Sequence, residues 1–151
     1  MKTKRTHKRF LEDSDAKARM IDFLAFFKRI CKISSDKELC YKYPQLKAFI
    51  INLIGKRNLI TKTNEELKTY DFQKMSPPSI VYSVKNTKTL CFLRHLRNSI
   101  AHWNLNYQDG KSDIIVIKDF KSANNKTLTC YGLIQEDVLR QIIYEISKHY
   151  N

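Results

Sequence analysis

Apolar residues recur at helical spacing along most of this chain. From Asp15 to Ile33, Met20, Phe23, Phe27 and Ile30 share one face, widened by Leu24 and Cys31. This predicts an amphipathic helix with Asp13 or Ser14 as its N-cap. Phe26 lies off the centre of that stripe, where it could face a partner. The stretch SSDKELCYKYP declares no clear period. Pro44 then opens a second helix with Leu46, Phe49, Ile50, Leu53 and Ile54 on its buried side and Gly55 as its stop. Asn64 to about Phe72 predicts a short helix, favoured by Glu65 and Glu66 near its N-terminus.

Pro77 and Pro78 bar regular helix in the MSPPS turn. A long helix is expected from Ser79 or Ile80 to Trp103–Leu105, with Ile80, Val81, Val84 and Leu90 leading into a buried stripe of Leu93, Leu96, Ile100 and Trp103. The weak helix formers of KNTKT allow a break near Asn86 or Thr87. Asn106, Asp109 and Gly110 form the turn cluster beyond it. The period then changes. Asp113 to Phe120 is rich in β-branched residues, and Lys126 to Gly132 follows after SANN, which predicts a hairpin packed on the helices. Gln135 to Tyr150 closes the chain as a helix, with Val138, Leu139, Ile142, Ile143 and Ile146 facing inward.

The chain has 151 residues, enough for one domain with a real core. With three Gly and three Pro it has few breaks, which favours helices over a many-turned β-sandwich. The formal net charge of +13 changes the picture, because it implies a polyanionic partner held through phosphate contacts. Residues 1–13 form a basic N-terminal arm carrying Lys2, Lys4, Arg5, Lys8 and Arg9. It reads either as a frayed tail or as an arm along a nucleic-acid backbone. The remainder, 14–151, reads as a single domain. No apolar segment suits a secretory signal or a membrane span. Cys31, Cys40, Cys91 and Cys130 lack C-x-x-C spacing and read as buried free thiols, which places the protein in the cytoplasm with no metal site.

The candidate chemistry lies in LRHLRNSIAHWNL, residues 93–105. Arg94, Asn98 and His102 follow one another at one-turn intervals, opposite the apolar stripe. His95 adjoins that row, and Arg97 flanks it about 140° from His102 at helical pitch. A row of arginines and histidines without an acid suits an anionic substrate, although such a row can also be an ordinary solvated face.

The run Arg97-Asn98-x-x-x-His102, with Ala101 just before the histidine, resembles the signature of the HEPN superfamily. The resemblance implies a mainly α fold: an antiparallel helical bundle, in one subset with a short β-hairpin between the motif helix and the C-terminal helix. It implies a metal-independent endoribonuclease that needs no cofactor, in toxin, antiphage or RNA-processing systems, or else a non-catalytic RNA-binding or scaffold module. An imidazole can give or take a proton near neutral pH, so His102 is expected to transfer protons. Arg97 is expected to stabilise the phosphorane and Asn98 to orient His102 or the phosphate. Arg94, His95 and Lys88 are the expected substrate-binding residues.

One histidine cannot serve as both base and acid, and His95 lies about 10.5 Å of helical rise from His102. A two-fold dimer would bring two copies of His102 together. The resemblance implies the same composite cleft. Attack by the 2′-OH of single-stranded or loop RNA should leave 2′,3′-cyclic phosphate ends. An antitoxin or regulator is a further implied partner. One branch of the superfamily carries a modifiable tyrosine two residues after the histidine. Here that position is Asn104, and the nearest tyrosine is Tyr107, so control by that modification is not expected. A basic DNA-binding regulator is the remaining reading, and no short helix-turn-helix spacing supports it.

Overall fold

The first helix forms nearly where its periodicity puts it, as α1 (Ser14–Ile30), with the Asp13 side chain accepting from the Asp15 amide. The computed structural model describes residues 9–33, 35–84, 88–121 and 127–149, with residues 36, 88–90 and 149 by backbone alone. The unassigned SSDKELCYKYP stretch contains α2 (Asp36–Lys42), capped by the Ser35 hydroxyl. Next come α3 (Leu46–Ile54), β1 (Leu59–Lys62) and α4 (Asn64–Lys68). Thr63 and Glu66 close a capping box at the start of α4. Then follow β2 (Ser79–Ser83), α5 (Lys88–Ala101), β3 (Leu105–Tyr107), β4 (Ile114–Phe120), β5 (Leu128–Gln135) and α6 (Glu136–His149).

The mainly α bundle expected from the sequence is not what the chain builds. The fold is mixed α/β, organised on a five-stranded sheet in the order β1-β2-β5-β4-β3. β4 and β5 pair antiparallel as a hairpin, from Ile114 opposite Gln135 to Phe120 opposite Leu128. That hairpin is only the middle of the sheet. β2 pairs antiparallel with the other edge of β5, β1 lies parallel to β2, and β3 flanks β4.

The physical reason lies in SIVYS, residues 79–83. An inner strand covered on both faces shows a continuous apolar run, which a helical start can imitate. Ile80, Val81 and Tyr82 are all buried, and they belong to β2. The motif helix therefore begins at Lys88, not at Ser79. The break expected near Asn86 or Thr87 falls outside the described residues.

The two faces of the sheet carry separate apolar layers. Ile80, Tyr82, Ile115, Ile117, Cys130 and Ile134 join the main core with α1, α5 and α6. Alternation sends Val81, Tyr131 and Leu133 to the other face, where α4 supplies the buried Leu67 and Phe72 stacks on Tyr131 at 4.6 Å. Gly132 sits mid-strand, opposite Ile80 on one side and Ile117 on the other. A Cβ there would lie 3.1 Å from Ile80 Cγ1.

Two side chains depart from their expected settings. Phe26, read from its phase as able to face a partner, is fully buried and meets Tyr43 edge-on at 5.4 Å. Trp103, expected in the buried stripe, is 46% exposed, whereas Leu93, Leu96 and Ile100 are buried. The cause is how α5 ends. Trp103 takes φ 54°, its N–H donates to Ile100 O at 3.1 Å, and Asn104 N–H donates to Ser99 O at 2.7 Å. This is the Schellman arrangement, with tryptophan where glycine is usual. It swings the indole out towards Lys17, whose Nζ lies 5.7 Å from the ring centroid.

The inner part of the expected arm is built into the domain. Phe10 and Leu11 are buried, and the Phe10 N–H and the Tyr107 hydroxyl both donate to the Glu136 carboxylate. Arg9 stacks 3.7 Å above the Tyr107 ring. Lys2, Lys4, Arg5 and Lys8 lie outside the described residues. The four cysteines are free, but only Cys91 and Cys130 are buried, while Cys31 is exposed. Among the described residues, no helix is long and apolar enough to cross a membrane.

Candidate functional site

The motif helix is buried on more than one side. Leu93, Leu96 and Ile100 form the stripe seen in the sequence, and Phe92, His95 and Ser99 form a second buried row along the same helix. α5 packs against both α1 and β4, so two of its faces are covered. Ser99 fastens it to β4, its hydroxyl lying 2.6 Å from Lys118 O and 2.8 Å from His95 O.

β4 contributes the residue that sequence reasoning missed. Its alternation places Ile115, Ile117 and Asp119 on the core side, and Asp119 is 3% exposed. Such an acid must find donors. Phe120 N–H donates to its Oδ1 at 2.9 Å, and Asn98 Nδ2 donates to its Oδ2 at 3.1 Å. His95 Nδ1 meets the same Oδ2 at 2.8 Å. The opposite ring nitrogen, Nε2, lies 2.9 Å from Ser83 O. A carbonyl only accepts, so Nε2 is the nitrogen that donates to Ser83 O. Tyr82 packs against the ring at 5.8 Å. Burial, and behind it the Asp119 charge, pushes the neighbouring Cys130 thiol up, so it is not a ready nucleophile.

The contact that leads outward starts at Asn98. Its Oδ1 accepts from Arg97 Nη1 at 2.9 Å, so a chain of side chains runs from Arg97 through Asn98 to Asp119 and His95. Ser83, Arg94, His95, Asn98, Asp119 and Lys121 help line a cleft of about 200 Å³. Of the expected substrate-binding residues, Arg94 is half-buried on this cleft, and His95 lines it as a buried ring with both nitrogens engaged. The Lys88 side chain lies outside the described residues. Arg97 and His102 do not line the cleft. His102 stands exposed just past the end of α5, its backbone N–H donating to Asn98 O at 2.9 Å. Thus His95 and Asn98 meet on Asp119, Arg94 shares their cleft, Arg97 joins through Asn98, and His102 is exposed outside it.

The arrangement offers a polar cleft, a guanidinium held by an uncharged amide, and an exposed imidazole about one turn beyond that amide. These are parts suited to binding and protonating a phosphodiester, set on a mixed α/β scaffold. Residues 7–151 match the family model described as HEPN pEK499 p136, and the chain belongs to this HEPN family. No curated protein and no solved structure matches it.

Proposed function

We propose that this HEPN domain is a metal-independent endoribonuclease acting on single-stranded RNA. The observation that carries the reading is the coupling of Arg97 to Asn98 one turn before an exposed His102, within a chain of the HEPN family. The formal charge of +13 supports an RNA partner. In the reaction, a base removes the 2′-OH proton and the 2′-oxygen bonds to the adjacent phosphorus. The P–O5′ bond breaks, and an acid protonates the departing 5′-oxygen. The products are a 2′,3′-cyclic phosphate and a 5′-hydroxyl.

His102 supplies one proton transfer, and His102 of a second copy of the chain supplies the other. Arg97, which among the described residues gives a single Nη1 N–H to Asn98, neutralises the charge that develops on the phosphorane. Asn98 sets the guanidinium in place, and Arg94 and His95 belong to the substrate-binding wall. A toxin or antiphage role, with an antitoxin or regulator as partner, is the biological setting that fits such an activity.

The test is end-labelled single-stranded RNA with wild type and His102→Ala in excess EDTA. Cyclic phosphate ends made by wild type and lost in a folded, dimeric variant are expected. Equal cleavage by both removes His102 from the mechanism. No cleavage by either, with RNA affinity intact and falling steeply with salt, replaces the nuclease by a non-catalytic RNA-binding module.

A further inference from the structure

Resting on the endoribonuclease reading, we infer that Asp119 is a positioning residue for Arg97, acting through Asn98, which also keeps the two charges apart. The argument begins with the orientation of the Asn98 amide. A carboxylate accepts, so the end facing Asp119 Oδ2 at 3.1 Å is the NH2 group. The carbonyl end must then face Arg97, where it accepts from Nη1 at 2.9 Å. Asp119 thus decides which way Asn98 points, and Asn98 decides where the guanidinium sits.

The interposed amide has a second effect. A direct Arg–Asp pair would satisfy the fork bidentately and cancel much of the positive charge a phosphate would meet. Through Asn98, Arg97 is oriented with one donor used among the described residues, and a neutral partner does not cancel its charge.

The position demands a carboxylate. Asn98 Nδ2 and Phe120 N–H approach different oxygens of Asp119, and His95 Nδ1 shares the first of these. An amide at 119 has only one oxygen and cannot accept at both places. In Asp119→Asn, with Nε2 of His95 already donating to Ser83 O, the NH2 turns towards Nδ1 and leaves the oxygen for Phe120. Asn98 Nδ2 then faces a donor, and the link to Arg97 is lost although the shape of the core is kept.

The experiment compares wild type, Asp119→Asn, Asn98→Ala and the double variant by two readouts. The first is nitrogen–proton NMR of the Asn98 amide and the Arg97 guanidinium, without RNA. The second is kcat and KM on single-stranded RNA. Asp119→Asn is expected to shift and broaden the Asn98 and Arg97 signals and to lower kcat about 100-fold with KM little changed, as for a misplaced catalytic group. The double variant should be no slower than the worse single one, since both cut the same link. Unchanged Asn98 and Arg97 signals in folded Asp119→Asn overturn the inference, as do losses that multiply. Should Asp119→Asn not fold, Asn98→Ala cuts the link from its other end, and an Arg97 signal unchanged there also overturns it. If wild type cleaves no RNA, the endoribonuclease reading falls, while the NMR comparison alone decides whether Asp119 positions Arg97.

Discussion

Trp103 holds φ 54° at the end of α5, a conformation that costs an L-residue about 1–2 kcal/mol and glycine almost nothing. Two truncations isolate that cost. Trp103→Ala and Trp103→Gly both lose the half-exposed indole and its approach to Lys17, so those contributions cancel between them. What remains is the left-handed penalty on alanine, reduced by the greater freedom glycine has in the unfolded chain, about 0.5–1 kcal/mol. The glycine variant should be the more stable by about 1 kcal/mol, or about 2–4 °C in Tm for a domain of this size. In a helix interior the order is the reverse, with alanine ahead by about 1 kcal/mol. The sign is therefore the diagnostic. Because Trp103 is the only tryptophan in the chain, urea unfolding should be followed by far-UV circular dichroism and not by fluorescence. An alanine variant equal to or more stable than the glycine variant would refute the left-handed stop and imply that α5 runs on past Ala101.

Two further perturbations test the sheet and its second layer. Gly132→Val should cost about 1–3 kcal/mol by overpacking, since Ile80 Cγ1 already lies 3.1 Å from where a Cβ would be; an unchanged urea midpoint would show that β2 can retreat. The capping box with Thr63 holds the Glu66 carboxyl below its ordinary value of 4.5, first through the Thr63 backbone N–H and then through its hydroxyl. A depressed folded value stabilises above the unfolded one, and the gain is lost as pH falls through the folded one. The stability gap between wild type and Glu66→Gln should therefore be full at neutral pH and close in acid below that depressed value. A gap that persists in strong acid would exclude the ionised cap as its source.

How much of this was legible in the sequence depended on how local the governing force was. α1, α3 and α6 each bury one stripe, so their periodicity placed them within a few residues. β2 buries both faces, and such a strand has no alternation to read. β5 continues past Gly132, where the sequence suggested a stop, because two isoleucines from neighbouring strands close over that glycine. At the site, the HEPN family was readable from Arg97, Asn98 and His102, and the chain belongs to it. Asp119 was visible only as an acid in phase with Ile115 and Ile117, a signal that acquires meaning once β4 is known to lie under α5. Trp103 was misplaced because helical phase says nothing about a left-handed residue at the helix end.

The tie between the Phe10–Glu12 turn and Glu136 also has a temporal side. Phe10 and Glu136 are 126 positions apart, and α6, which opens at Glu136, packs against α1. At about 5–20 residues per second of synthesis, the amide of Phe10 waits about 6–25 s for its carboxylate. During that interval the aromatic stripe of α1 lacks one of the helices that pack against it. A chain interrupted before Glu136 would leave both Phe10 and Tyr107 without their acceptor. Losing α6 would therefore uncover faces of α1, α3 and β5 together and not merely trim an end.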